Sequence, residues 1–580
     1  MKRGLAAVVA IALAAVSMFV LSSPGEAGSA LQAAQASDTW TPQPGKPFKP
    51  PVQIARPPGD GPKVIDVNLT AHAGETVIAG SPVWARTYNG GFVGPTVHAR
   101  PGDTIKVRFT NDLGGVVPTN IHYHGMHVSP LGNGDNVFVT IEAGKIYESS
   151  ITLPAKQPTG TFWYHAHFHG ISDGQIMGGL SGLLIVEGLK PLLPAALRHV
   201  PERQIALRDV QLGTAANQPE GVVGPYIAQN ADILVDPKAT YRMVNGMYKP
   251  KFAMHTGKYE LWHLANIGSD VFYKLEFVDQ RRKVKQKFAI VTTDGIPVWD
   301  VTRPTELLLP PGKRFDVLVA AQHPGTYELK SDPYVQTGKN NFDPRPAIPC
   351  EIQPDGSCVG FADTLATVDV NGASTTPPAL PEHVSSRKRH KAPGDPPYLE
   401  DLSKVPDSEV VRHRLQFRYE TVEGGKFTPT IMIDNDPKTA VPFEHDEMPV
   451  VSPVLGQVEE WSLVNTSRDD HPFHIHINGF QVMSVRGDPD FKAHGHQDVV
   501  NIPRRHNVKD ADGNITGQVN GKVVIRQRYE NFHGWFVFHC HILNHEDVGM
   551  MHTIQVREKE SDPVTPPPET DDHSPHAHTG

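Results

Sequence analysis

The chain is 580 residues long, which predicts about three or four domains, and its formal net charge of -9 excludes nucleic acid as a main partner, because polyphosphate binding needs a basic surface. Glycine (51) and proline (53) are both abundant, and no long amphipathic helical pattern runs between residues 60 and 555, so the expectation is an all-β protein with many turns. Histidine is the outlier, with 30 residues, about twice ordinary usage.

Lys2 and Arg3, the apolar run from Leu5 to Leu21 and the small residues around Ala27 to Ala30 predict an export signal over residues 1–30. The alternative is an uncleaved membrane anchor, since the run approaches spanning length. No other segment reaches that length, so the expected location is periplasmic or extracellular, without stable membrane insertion once the signal is removed. A Pro-rich arm over 31–63 is expected to be irregular. The first compact region, 64–190, carries short alternating segments such as Thr104 to Phe109 and Leu183 to Val186. A second, 200–371, carries Tyr259 to Leu264, Leu307 to Leu309 and Phe315 to Val319, and a third covers 409–557. Short strands separated by turns predict sandwiches or barrels. The linker at 372–408, with its basic cluster Arg387, Lys388, Arg389, His390 and Lys391, reads as a solvated wrap over the surface. The polar tail 558–580, with His573, His576 and His578, reads as disordered. A monomer is the default expectation.

Cys350 and Cys358 lie close together in a loop of an exported chain and predict a local disulfide. That leaves Cys540 as a lone thiol that calls for a role. It sits inside the last of four histidine clusters: His122 and His124; His165, His167 and His169; His471, His474 and His476; His539, His541 and, beyond them, His545. On an extended strand, alternate side chains share a face. This parity sends eight histidines (122, 124, 165, 167, 474, 476, 539 and 541) toward one site. Cys540, His471 and His545, with Met550 beyond, fall to a second site on the other face. Two histidines, a thiolate and a thioether form a blue-copper arrangement; zinc also accepts Cys and His but has no redox chemistry. Eight imidazoles without a carboxylate suit three further copper ions, and the covalent neighbours His539 and His541 wire that cluster to Cys540. Dioxygen needs four electrons to become water, and four coppers hold four.

The strings IHYHG, FWYHAHFHG, HPFHIHINGF and FVFHCHILNHEDVGMM resemble those of the multicopper oxidases, and LWHLANIGSD, TTDGIPV and LLLPPGKRFDVLV are similar to the family's middle domain. The resemblance covers about residues 60 to 557 and implies three cupredoxin-like Greek-key β-sandwich domains. It implies type 1 copper ligands at His471, Cys540, His545 and Met550, and type 2 ligands at His122 and His474. It implies one type 3 copper at His124, His165 and His541 and the other at His167, His476 and His539. His169 matches no family ligand and reads as a neighbour of the site; His127 reads as structural. Glu546 matches an acid proposed to relay protons to the cluster. Asp135, in GNGDN, stands where the family often has an acid near the type 2 copper, although turn chemistry alone also accounts for it.

The implied activity is one-electron oxidation of phenols or aromatic amines, laccase-like, coupled to reduction of O2 to water. The runner-up is a cuprous-ion or other metal oxidase, weakened because only 12 methionines are present and none cluster densely. A non-catalytic copper-binding or structural protein is the reading from a different class, and the filled ligand positions speak against it.

Overall fold

The computed structural model describes residues 40–213, 218–228, 240–334, 350–352, 358–360, 362–380, 382–383, 397–421, 427–489, 491–493, 495–511 and 514–568. The expected export signal, the basic cluster at 387–391 and the tail histidines lie outside them. So do the side chains of Cys350 and Cys358. Their backbones belong to a two-stranded antiparallel ribbon, Cys350–Ile352 against Cys358–Gly360.

The described chain is dominated by strands arranged as three pairs of facing sheets. The first pair sets Val64–Ile78, flanked by Ser81–Tyr88 and Thr104–Asp112, against a sheet ordered Gln53–Ile54, Gly94–Ala99, Ser181–Val186, Gly160–His165. In Val64–Ile78 and Thr104–Asp112, exposed and buried residues largely alternate, as in strands with one wet face. Ile65, Val67, Ile105 and Val107 meet Val97, Phe162 and Leu184 between the sheets. The middle pair closes over Leu207, Trp262 and Val317 from one sheet and Leu275, Phe277 and Leu329 from the other. The third closes over Leu415, Trp461 and Ile525 against Phe473, Phe538 and Ile554. A parallel strand pair recurs in all three: Val64–Ile78 with Thr104–Asp112, Glu202–Gln211 with Tyr259–Asn266, and Val410–Thr421 with Val458–Asn465. All five strand segments picked out from the sequence lie in strands.

Two connecting segments are better anchored than expected. In the N-terminal arm, Gln53–Ile54 pairs in parallel with Gly94–Ala99, and Trp40 is buried against Ile78 and Met243. In the linker, Tyr398 stacks on His127 at 3.8 Å and Leu402 is fully buried. Apolar anchors spaced along a polar segment explain why composition alone reads it as solvated.

Several strands around the histidine clusters have no exposed face. Gly160–His165, His471–Ile475 and Met551–Val556 are buried at every residue. Such strands are covered on both faces. The seam with the middle pair joins an apolar cluster, Trp163 and Leu183 with Ala206, Ala265 and Ile267, to a polar contact. The Thr161 hydroxyl donates to Asp316 at 2.5 Å, and the same carboxylate lies 2.6 Å from Nδ1 of His263.

A pH-dependent contact lies at the edge of the third pair. His413 Nδ1 is 2.6 Å from Asp434 and its Nε2 is 3.6 Å from Glu459. Burial lowers its basicity, but the two carboxylates outweigh that and raise its pKa to about 9. A raised histidine stabilises the fold fully below its unfolded pKa of about 6.5, and the contribution fades as pH rises through the folded value. We expect about 1 kcal/mol of stability to be lost between roughly pH 6.5 and 9, allowing for solvent screening of a partly exposed group. Denaturant unfolding across this window should show a flatter pH profile for His413→Gln; parallel profiles would refute it.

Candidate metal centre

Four chain segments from the first and third sandwiches meet at one buried point. His165 ends its strand, and His122 is bridged to it by reciprocal backbone hydrogen bonds of 2.9 and 3.0 Å. In the third sandwich, His474 stands directly opposite His539 and Phe473 opposite Cys540 in an antiparallel ladder. Period two therefore places His474 and His539 on one face, and Cys540 with His471 on the other. Pro472 stays in register opposite Asn501 and does not disturb this.

The premise of extended backbone fails elsewhere. Regular strand stops at His165, Ile475 and Cys540, so His167, His476 and His541 lie just past strand ends, and His124 occupies a turn. The chain bends there toward the shared site, and both members of each pair still reach it.

Ligand-type atoms fall within 4.8 Å of one another in several buried groups: His124, His165 and His541; His167, His476 and His539; His122, His124 and His474; and His471, Cys540 and His545. His122 stacks on His476, and His124 on His474, each at 3.8 Å between ring centres. Burial first, then mutual repulsion, depresses these imidazoles: His122, His124, His474, His476 and His541 fall well below the usual range, and His165 to about 3. They are held neutral, the form that binds metal.

The donor set fits metal ions. Nε2 of His122, His165, His474 and His476 is buried without a hydrogen-bond partner. Nitrogens also face one another, His124 Nδ1 and His541 Nε2 at 3.2 Å, His167 Nε2 and His539 Nε2 at 3.3 Å. Buried polar atoms without partners are costly, so converging orphan lone pairs are accounted for by cations. On the opposite face, Cys540 Sγ lies 3.4 Å from His471 Nδ1 and 3.7 Å from His545 Nδ1. Burial pushes the Cys540 thiol well up, so its thiolate needs a bound cation. Met550 is fully buried beside them; its N–H donates to the His545 carbonyl and its carbonyl accepts from the Cys540 N–H.

Both singled-out acids are at the site. Asp135 makes its turn contact through its backbone N–H to Ser129, but its carboxylate is buried 2.9 Å from His122 Nδ1 and accepts the Tyr123 N–H. Glu546, on the short helix Leu543–Asp547, lies 2.9 Å from His539 Nδ1 and 3.5 Å from His167 Nδ1. Burial pushes its carboxyl up, and the neighbouring His167 and His539 outweigh this and hold it at about 2. His169 edges the site, close enough for the Glu546 charge to act on it, and meets the Phe443 ring edge-on at 4.9 Å. His127 is satisfied at both nitrogens, by Ile477 and Asn531, as a structural histidine should be.

Sequence reasoning missed four contributors. Asp498 lies 3.2 Å from His124 Nε2, and its backbone carbonyl is 2.8 Å from His474 Nδ1. Arg314, from the middle sandwich, grips Asp498 with two bonds of 2.6 and 2.7 Å. Gly312, at φ +81, leaves room that a Cβ would fill, 2.9 Å from His541 and 3.2 Å from His124. Ser467 meets His471 Nε2 at 2.7 Å. Arg314 and Gly312 lie in the string LLLPPGKRFDVLV, which marked the middle domain but not a part in the site.

Comparison with known proteins agrees. Two family models, both described as multicopper oxidase, match residues 70–191 and 416–560. The chain is 25% identical to a multicopper oxidase of Staphylococcus epidermidis, over 81% of this chain and 83% of that one. It is 24% identical to a laccase of Bacillus stratosphericus, over 81% and 90%. In fold it is similar to a Campylobacter jejuni multicopper oxidase described as a metallo-oxidase, with a TM-score of 0.64, 22% identity and coverage of 89% and 96%. With matched segments at both sides of a buried, copper-type histidine cluster, the chain belongs to the multicopper oxidases and is an oxidoreductase.

Proposed function

We propose that the protein oxidises phenols or aromatic amines one electron at a time and reduces O2 to water, with four coppers per chain. His471, Cys540, His545 and Met550 would hold the type 1 copper, His122 and His474 the type 2 copper. His124, His165 and His541 would hold one type 3 copper, and His167, His476 and His539 the other. The bound coppers supply the one-electron redox steps and together store the four electrons that O2 requires. The observation that carries this reading is the back-to-back placement of Cys540 against His539 and His541. One peptide unit separates an electron-collecting face from an electron-spending face.

The protein's own groups do the rest. Burial of all eight imidazoles keeps bulk water out. Asp135 orients the His122 ring through Nδ1. Glu546, against His539 and His167, is placed to relay protons to the cluster, taking each one up only in passing because its carboxyl is held at about 2. We expect Glu546→Gln to slow O2 reduction about a hundredfold, in the range for loss of a general acid, while the blue colour and its anaerobic bleaching by donor stay intact. Unchanged turnover would remove Glu546 from the proton path.

The apolar N-terminal run supports action outside the cytoplasm, and a monomer contains every group invoked. The deciding experiment measures O2 uptake by copper-loaded protein with a model phenol, Cu(I), Fe(II) and Mn(II) in parallel. A phenol preference supports the laccase-like reading; preference for one metal ion replaces it with a metal oxidase; no uptake with any donor leaves a non-catalytic copper protein.

A further inference from the structure

We propose that Tyr419 caps the electron port of the Cys540 site and sets which donors reach it, with Asp469 holding the tyrosine in place. The inference rests on the type 1 assignment above. Of the four groups assigned there, His471, Cys540 and Met550 are 0% exposed and His545 is 7% exposed. Electron transfer weakens steeply with distance, so an external donor delivers its electron through the His545 ring.

That ring is covered. Nδ1 of His545 faces Cys540 Sγ at 3.7 Å, which leaves Nε2 pointing away from the sulfur. The Tyr419 hydroxyl lies 3.3 Å from this Nε2, and the two rings meet edge-on at 6.0 Å and 87°. Tyr419 donates its hydroxyl hydrogen to Asp469 at 2.5 Å. Its oxygen is therefore the acceptor for Nε2–H, and the chain of donors runs from His545 to Tyr419 to Asp469. Asp469 is buried, and a short bond to a carboxylate is among the stronger ones, so the ring has little freedom to swing aside. The strand is fixed as well, because Phe417, two residues earlier, stacks on His471 at 5.7 Å and 27°.

A donor that must hydrogen-bond Nε2–H has to displace Tyr419. A compact complex that gives up an electron without bonding needs only to touch the tyrosine ring. The cap therefore narrows the range of phenols accepted and slows the bulkiest of them most relative to compact complexes.

The test mixes copper-loaded protein anaerobically with 2,6-dimethoxyphenol or with hexacyanoferrate(II) and follows bleaching of the blue band; a separate redox titration gives the type 1 potential. Tyr419→Ala should raise the phenol-to-hexacyanoferrate rate ratio by about tenfold, the scale of steric discrimination by one side chain in a pocket. Tyr419→Phe, which keeps the ring and loses the acceptor, should keep the ratio near that of the parent and raise the potential. An unchanged ratio in Tyr419→Ala, or equal acceleration of both donors, overturns the selective cap. An unchanged potential in Tyr419→Phe overturns the bond to His545. Absence of a blue band in the copper-loaded parent would instead overturn the type 1 assignment itself, and that is seen before any variant is compared.

Discussion

Cys540→Ser should lose the blue absorption and all measurable turnover while keeping its fold and its histidine cluster. Cys540 supplies the thiolate of the proposed type 1 site and is the residue whose two peptide neighbours, His539 and His541, enter the cluster. A serine hydroxyl is a poor ligand for this copper and carries no thiolate charge-transfer band. The substitution is close to isosteric. The new hydroxyl would face His471 and His545, whose Nδ1 atoms lie 3.4 and 3.7 Å from the present sulfur, and can hydrogen-bond to either. We therefore expect a stability change of about 1 kcal/mol. His474 and His539 lie on the other face of the same strands and the remaining cluster histidines are reached from beyond them or from the first sandwich, so copper content should fall by one ion per chain and the type 2 paramagnetic signal should remain. Copper analysis, visible and paramagnetic spectra and O2 uptake on one preparation check all of this. Persistent blue colour or turnover would refute the assignment of Cys540, and loss of all copper would refute the separation into two faces.

That separation was legible in the sequence because its elements are local. His474 and His476, or His539, Cys540 and His541, are a few residues apart, and strand periodicity alone sorts them by face. The third sandwich bears this out in the ladder that sets His474 opposite His539. Parity reached further than its premise allowed, since His167, His476 and His541 lie beyond the regular strands. What could not be read were single side chains outside the histidine pattern that are joined across long separations. Asp498 meets Arg314 across 184 residues and His124 across 374. Asp135 could be read as a turn residue, and its backbone does make a turn; only packing shows that the carboxylate is turned inward onto His122. Tyr419 is one aromatic among many on a strand until the fold brings it to His545. Single side chains whose partners come from another sheet leave no periodic trace.

Arg314→Met should be the most destabilising of the substitutions considered, by about 3–5 kcal/mol, because it removes one partner of a fully buried ion pair. Arg314 is wholly buried and ties three sandwiches together. It donates to both carboxylate oxygens of Asp498 in the third, to the Thr161 carbonyl in the first at 3.2 Å, and to the Gly312 and Asp294 carbonyls in its own at 3.0 and 2.9 Å. Methionine fills most of the volume, so the loss is electrostatic: Asp498 stays buried 3.2 Å from His124 Nε2 without its bidentate partner. Lysine would not restore it, since a single ammonium cannot reproduce the two-pronged grip. At roughly 2–4 °C per kcal/mol for a domain of this size, the thermal transition should fall by about 10 °C. If the unpaired carboxylate is the cause, adding Asp498→Asn should recover at least about 1 kcal/mol, a non-additivity expected only of directly coupled residues. Additive losses would mean that the two side chains act separately, and an unshifted transition would remove Arg314 from the structural frame of the cluster. Because Asp498 touches His124 and its carbonyl meets His474, the same variant should release copper to a chelator faster than the parent. The middle sandwich, which contributes none of the proposed ligands, would then be seen to govern how firmly they hold their metal.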